Sequence, residues 1–290
     1  MTISRTLLFV SALTASVVAN AQERLFDDPA RVNAWLHENH VPAVGIGVIR
    51  DGKVRAVRVY GDLKEGSPAP YDTIFNVASL TKPVVTMVTL RLVSQGKWNL
   101  DEPLASYWVD PDVAADPRHR QLTTRHVLSH QTGFANWRSL EPSKKLRFQF
   151  DPGARFQYSG EGFEYLRRAL EKKFGQPLEK LSEAIVFKPL HLTSMQHAWD
   201  ARTDAARFAR WHDKNGKNVY TDDRTRANAA DDLLTTVADY ATFGIAVMNG
   251  DGLTKAVFQE MTRPQSTMRE NAYIGLGWEL HPGLPNGEYA

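Results

Sequence analysis

Phe75-Asn76-Val77-Ala78-Ser79-Leu80-Thr81-Lys82-Pro83 is the stretch on which the reading of this chain turns. A helix starting here puts Ser79 and Lys82 on one face, one turn apart. A serine hydroxyl becomes a useful nucleophile only when a neighbouring base takes its proton. A lysine held one turn away, desolvated enough to be neutral, is such a base. The helix start also aims unpaired N–H groups and a positive dipole end at the serine, which favours a developing oxyanion. Pro83 is tolerated in a first turn, where few N–H groups have intrahelical partners. Val84, Val85, Met87, Val88, Leu90, Leu92 and Val93 then recur nearly all round, as in a buried helix, and Gly96 ends it. The same S-x-x-K pattern returns at Ser94-Gln95-Gly96-Lys97, beside that breaker, and is read as coincidence.

Working outward, Val32, Trp35 and Leu36 at helical spacing predict a helix over Asp28 to Glu38. Val44 to Ile49 reads as a buried strand, Asp51-Gly52 as a hairpin turn and Val54 to Tyr60 as the return strand, with Gly61 to Ala69 a loop. Short helices are predicted over Arg125 to His130, ended by Gly133, over Gly162 to Phe174 and over Pro177 to Phe187. Residues 212–230 are polar and irregular. Leu233 to Met248 reads as one apolar helix ended by Asn249-Gly250, Ile274 to Leu280 as a strand and Pro282 to Ala290 as a turn. Strands at both ends with a helical block between predict an α+β sandwich. Its sheet part spans about 27–98 and 231–290, interrupted by a helical insertion over about 99–230.

The chain has 290 residues, 42% of them hydrophobic and 23% charged, with a net charge of +2. That is enough to bury a sizeable core, and the near-neutral balance without a basic stripe argues against a nucleic-acid partner. With no cysteine, disulfides, thiolate catalysis and thiolate metal sites are excluded. Residues 1–21 read as a secretory signal peptide: Arg5, an apolar run from Leu7 to Val18, and an Ala19-Asn20-Ala21 cleavage site. A periplasmic or secreted protein is therefore expected, cleaved after Ala21, with no membrane span once the signal is removed.

Several chemistries fail on pattern. No G-x-S-x-G elbow is present. Gly47 to Lys53 lacks the Ser/Thr of a P-loop and lies in a hairpin. His37 and His40 are three apart where a helical zinc pair needs four, and His126 and His130 lack a third ligand at motif spacing. What remains is Ser79 and Lys82 with a second proton carrier, which Phe156-Gln157-Tyr158-Ser159-Gly160 can supply. A tyrosine in a loop ahead of a helix can aim its hydroxyl at a pocket and relay a proton to a leaving group.

The motifs, taken in order, resemble the serine β-lactamase and penicillin-binding-protein-like superfamily, and within it the class C β-lactamase, family VIII esterase and D-alanyl-D-alanine peptidase branch. The resemblance is carried by Val41-Pro42-Ala43-Val44 to Tyr60-Gly61, by Phe75 to Lys82, and by Leu92 to Leu104. It continues through Thr124 to Phe134, Phe156 to Gly160, Leu233 to Tyr240 and Ile274-Gly275-Leu276-Gly277-Trp278, and so covers nearly all of residues 27–280. It implies a Ser79 acyl-enzyme with Lys82 as base or proton shuttle and Tyr158 as second acid/base. It also implies a monomer without cofactor or metal, acting on a small-molecule or peptide substrate: a β-lactam, a short ester or a D-amino-acid peptide. It makes His126 and His130 scaffold.

Two departures stand out. Gly160 occupies the position where this superfamily usually has an asparagine that binds substrate or steadies the lysine, and Glu161 is the candidate to substitute. The superfamily's third motif, Lys/His-x-Gly, is expected on a strand that is not found. His281-Pro282-Gly283 has the letters but sits in a Pro-broken turn. The expectation is accordingly of a fold incomplete at its C-terminus, lacking the last strands, the terminal helix and one oxyanion-hole donor. The alternative to an enzyme is a non-catalytic relative that binds peptidoglycan-like or peptide ligands, or an inactive fragment.

Overall fold

The structure is a computed structural model that describes residues 26–64, 66–219 and 225–283. The proposed signal peptide, residue 65 within the expected 61–69 loop, residues 220–224 of the irregular stretch and the end of the C-terminal turn lie outside the described residues. Helix α1 spans Pro29–Glu38, and Asp28 caps it by accepting from the N–H groups of Ala30 and Arg31. His40 lies beyond α1 at a positive φ of 55°, so His37 and His40 share no helix face. Strands β1 (Ala43–Arg50) and β2 (Lys53–Lys64) form the predicted antiparallel hairpin. Asp51 and Gly52 both take positive φ, 52° and 67°, the twist-matched geometry of a two-residue turn. β2 runs on into the expected loop and pairs with β3 (Ser67–Pro68).

The fold is α+β, and among the described residues the strands lie in three small sheets. In the second sheet, β4 (Ile74–Asn76) pairs parallel with β5 (Phe208–Ala209) and antiparallel with β6 (Leu234–Thr235). This corrects the expectation of one helix over Leu233 to Met248. Leu234 and Thr235 are extended against β4, and the helix begins only after the Thr236 cap. A run of apolar residues does not by itself distinguish a buried strand from a buried helix. In the third sheet, the stretch from Ile274 to Leu280 is likewise not one strand. β7 (Ser266–Arg269), β8 (Ala272–Ile274) and β9 (Glu279–Leu280) form a meander, with a turn at Gly277, φ 80°, between the last two.

The helices pack between and over these sheets. α2 (Thr81–Ser94) is buried from Thr81 to Leu92, apart from Pro83, and forms the spine of the main core. α3 (Thr124–Leu128), α4 (Gly160–Phe174) and α5 (Leu178–Ser182) contribute side chains to the same core. α5 runs on into a wider π-type turn to Phe187, so the expected helix over Pro177 to Phe187 is two pieces. α6 (Val237–Asn249) lies across the first sheet, where a Cβ at Gly45 would stand 2.3 Å from Val237. Those strand glycines let the helix backbone approach. α7 (Lys255–Met261) follows. No helix among the described residues is long and apolar enough to cross a membrane.

Candidate active site

Ser79 sits in a single 3-10 turn, Ala78–Leu80, between β4 and α2. The turn is built by its neighbours. The Asn76 side-chain oxygen accepts from the Ala78 N–H at 2.9 Å, and Ala78 takes a positive φ of 45°. The Thr81 hydroxyl donates to the Ala78 carbonyl at 2.6 Å and accepts from the Leu233 N–H at 3.0 Å. A left-handed non-glycine residue costs of order 1–2 kcal/mol, and such strain collects where a functional side chain must be presented. Here it turns the chain so that Ser79 is exposed while the next turn is buried.

Lys82 is buried at 4% exposure. Its Nζ lies 3.0 Å from Ser79 Oγ and donates to the Ala230 carbonyl at 2.8 Å. Val77 N–H to the Leu233 carbonyl, at 2.9 Å, pins the same strand segment alongside. The one-turn spacing read from sequence is therefore a contact, and a backbone carbonyl 148 residues away fixes the amine. The second S-x-x-K is not a site: Ser94 ends α2 and its hydroxyl accepts from the Thr254 N–H at 3.0 Å, next to the start of α7.

Tyr158 reaches the pair with its ring. Lys82 Nζ stands 4.7 Å from the Tyr158 ring centroid and 5.9 Å from that of Phe163, a cation–π arrangement. Among the described residues no hydrogen bond joins the Tyr158 hydroxyl to Ser79 or Lys82. His130 holds the tyrosine in place. Its carbonyl accepts from the Gln157 N–H at 2.7 Å, its Nδ1 accepts from the Ser159 N–H at 3.2 Å, and its ring lies against that of Tyr158 at 4.4 Å between centroids. Burial, with the Lys82 charge adding to it, pulls the His130 pKa down to about 3, so the ring stays neutral and Nδ1 stays an acceptor. His130 is not on the α3 face expected for it, since α3 ends at Leu128 and His130 has φ 54°. His126 instead closes the α3 capping box with Thr123.

Gly160 and Glu161 open α4. Neither offers a polar group to the serine. Glu161 is buried and accepts from the Arg138 backbone N–H at 2.8 Å and from its guanidinium at 2.9 and 3.0 Å. It is spent on that pair, which corrects its reading as a substitute for asparagine. A Cβ at Gly160 would lie 2.7 Å from the indole of Trp137. His281 Nε2 lies 3.0 Å from a Glu279 carboxylate oxygen at the surface. Sequence reasoning missed Asn76, Thr81, Ala230 and Trp137. Only Asn76, two residues before the left-handed Ala78, carried a local signal, the Asx turn. On the far side, the Tyr240 hydroxyl donates to the Leu80 carbonyl at 3.0 Å, and burial pushes the Tyr240 pKa up.

The chain is similar to several known proteins. The family described as Beta-lactamase matches residues 17–287. The esterase EstB of Burkholderia gladioli is 30% identical over 209 residues, covering 62% of this chain and 51% of the esterase. Among solved structures, EstCE1, described as a hydrolase with promiscuous acyltransferase activity, superposes with a TM-score of 0.76 at 18% identity, covering 90% of this chain and 84% of that one. D-alanine carboxypeptidase AmpC from Burkholderia cenocepacia superposes at 0.72 with 22% identity, covering 92% and 80%. The structural likenesses are of fold. The chain spans about half the length of the curated relatives it matches first.

Proposed function

The chain belongs to the beta-lactamase family, and on that premise we propose that it is a secreted, monomeric serine hydrolase that cleaves ester or amide bonds through an acyl-enzyme on Ser79. The observation that carries the reading is the buried Lys82 amine 3.0 Å from Ser79 Oγ and tethered to the Ala230 carbonyl. In the base form that the step requires, the amine donates one N–H to Ala230 and uses its lone pair to take the Ser79 proton as Oγ attacks the substrate carbonyl carbon. The tetrahedral oxyanion forms beside Ser79 at the N-terminal end of α2, where the helix dipole favours negative charge. Collapse expels the alkoxide or amine, which takes a proton through Tyr158. Water then attacks the acyl carbon by the reverse proton path. The Tyr158 hydroxyl must approach the leaving group for this. Catalytic hydrogen bonds often tighten only when substrate is bound.

The substrate class is an ester or amide of the kind the relatives' names describe: a short ester, a β-lactam or a D-amino-acid peptide. A fluorophosphonate probe and a fluorescent penicillin test the assignment together. Labelling at Ser79 that disappears in Ser79→Ala and falls steeply in Lys82→Ala is the expected result. Equal background labelling of the wild type and Ser79→Ala would refute it. A second reading, a non-catalytic binder of peptide or peptidoglycan-like ligands, is favoured by the absence of a side chain at Gly160. Ligand binding that survives Ser79→Ala and Lys82→Ala, with no turnover by the wild type, selects it.

A further inference from the structure

The Ala230 carbonyl that fixes Lys82 belongs to a segment with little of its own to hold it. Ala227, Ala229 and Ala230 are buried, yet residues 227–230 lie in no helix or strand. Among the described residues they make no backbone–backbone hydrogen bond. A buried N–H needs a partner, and here side chains supply it. The Ala227 N–H donates to Glu179 Oε1 of α5 at 3.0 Å and the Ala229 N–H to Glu164 Oε1 of α4 at 2.7 Å. The Ala230 N–H donates to Asn228 Oδ1 at 2.8 Å.

The segment is thus a strap between two supports. On one side, acids of α4 and α5 hold it. On the other, it and the residues after it hold the nucleophile turn. The Ala230 carbonyl accepts from Lys82, the Leu233 N–H donates to the Thr81 hydroxyl, and the Leu233 carbonyl accepts from the Val77 N–H. Asn228 bonds within the strap and cannot set its distance from α4. Glu164 reaches it from outside, at the residue directly before Ala230.

Glu164 is itself aimed. The Arg167 guanidinium donates through Nε to Glu164 Oε1 at 2.9 Å and through Nη2 to Oε2 at 2.7 Å. Its Nη1 donates to both oxygens of Glu171, at 3.0 and 2.9 Å. A bidentate guanidinium fixes the plane of a carboxylate as well as balancing its charge. Oε1 also accepts from Ala229, and a hydrogen bond to an ionised acceptor is among the strong ones.

We propose that Glu164 is a positioning residue for the Ser79 reaction: through the Ala229 N–H it sets the place of the Ala230 carbonyl, and so the aim of the Lys82 amine at Ser79 Oγ. The inference rests on the reading of Ser79 as the acylated nucleophile and Lys82 as its base. Glu164 acts only through the strap. Without its Oε1 the buried Ala229 N–H loses its partner, and the strap relaxes and carries the Ala230 carbonyl with it. Lys82 Nζ then loses the tether that turns it toward Ser79. A misplacement of about 1 Å at a reacting group costs on the order of 100-fold in rate.

The test is fluorophosphonate labelling of Ser79 in the full chain, resolved into the limiting rate kinact and the saturation constant KI. The variants are Glu164→Gln, Glu164→Asp, Glu164→Ala and Glu171→Gln, each checked for its fold by circular dichroism. Glu164→Gln keeps an oxygen at the reach of the Ala229 N–H and gives up the charge facing Arg167. Glu164→Asp keeps the charge and falls one methylene short. Positioning makes reach decide: Glu164→Gln should stay within about threefold of the wild type in kinact, and Glu164→Asp and Glu164→Ala should fall at least about tenfold, with KI within about twofold throughout. Glu171→Gln breaks the other pair of Arg167 and leaves the anchors of the strap in place, so it should label like the wild type. If Glu164→Gln falls as far as Glu164→Asp, or Glu171→Gln as far as Glu164→Ala, Glu164 serves only as a partner of Arg167 and the inference is overturned. Wild-type kinact in Glu164→Asp, or a change confined to KI, overturns it too, and the comparison of Asp with Gln decides the matter even where Glu164→Ala does not fold. In each of these cases a wild type labelled at Ser79 leaves the hydrolase reading standing. A wild type that is not labelled there overturns both.

Discussion

Two buried histidines make this protein's stability fall on mild acidification, by an amount that can be worked out. His130 sits under Tyr158, and His197 accepts or donates at 2.8 Å with the Ser182 hydroxyl. Burial lowers both to about 3, helped by Lys82 at His130 and by Arg167 at His197, against an ordinary histidine value near 6.5. The native state therefore stays neutral at pH 5 while the unfolded chain takes up protons. Stability is fully present above pH 6.5 and is lost as pH falls from there toward the folded value near 3, because the unfolded state binds more protons. From pH 6 to pH 5 each histidine contributes a loss of about 1 kcal/mol, so the pair contributes about 2 kcal/mol, against the 5–15 kcal/mol typical of a whole domain. His126, lowered mainly by burial, acts in the same direction. The assay is urea unfolding at the two pH values for the wild type and for His197→Gln, whose amide can keep the Ser182 hydrogen bond without titrating. The variant should lose about 1 kcal/mol less than the wild type across that interval. Carboxylates held low by their arginines, such as Asp101 and Asp116, contribute equally to both proteins and cancel in the difference. An identical pH 6 to pH 5 loss in the wild type and the variant would refute the reasoning.

Three further outcomes are expected. Arg138→Ala strands the Asp110 and Glu161 side chains, 7% and 8% exposed, and should cost about 3–5 kcal/mol in chemical unfolding, the penalty for leaving buried charges unpaired; a loss under about 1 kcal/mol means the network is not holding them. Gly160→Ala drives a methyl into Trp137 and should cost about 1–3 kcal/mol, most of it recovered in a Trp137→Ala background; strict additivity in that double-mutant cycle denies the contact. Ala78→Gly relieves the positive φ before Ser79 and should stabilise the fold by up to about 1 kcal/mol while slowing acylation of Ser79, measured as the second-order rate of fluorophosphonate labelling; faster labelling would mean that the strained turn does not position the serine.

How much of this was legible in the sequence depends on how local the cause was. The Asp51-Gly52 turn, the helix near Asp28 to Glu38 and the burial of α2 follow from residues a few positions apart, and the sequence reading finds them. Leu233 to Met248 failed because its first residues are apolar for a non-local reason. They are extended so that Asn76 pairs with Leu234 and Phe75 with Thr235, across some 160 positions. Ile274 to Leu280 failed in the opposite way: Gly277 looked like a strand residue but turns the chain, with its N–H donating to the Leu128 carbonyl at 2.7 Å.

The site shows the same division. The contact between Ser79 and Lys82 is local, a property of one turn, although the same spacing at Ser94 and Lys97 makes no such site. What makes that turn a candidate site is not local. The carbonyl that fixes Lys82 comes from Ala230, the backbone clamp on Tyr158 from His130, and the ring that removes the side chain at position 160 from Trp137. The Ala230 carbonyl is a main-chain group and the Trp137 ring an apolar surface, which a motif search cannot register because any residue supplies the first and many supply the second; His130 clamps with its carbonyl and its ring Nδ1. The glycine at position 160 looked from sequence like a lost functional group. Beside Trp137 it is a steric requirement: a close approach of ring to backbone has to be matched by the absence of a Cβ. The pair Gly160 and Trp137 therefore has to be judged together, since either residue alone reads as a defect or as ordinary packing.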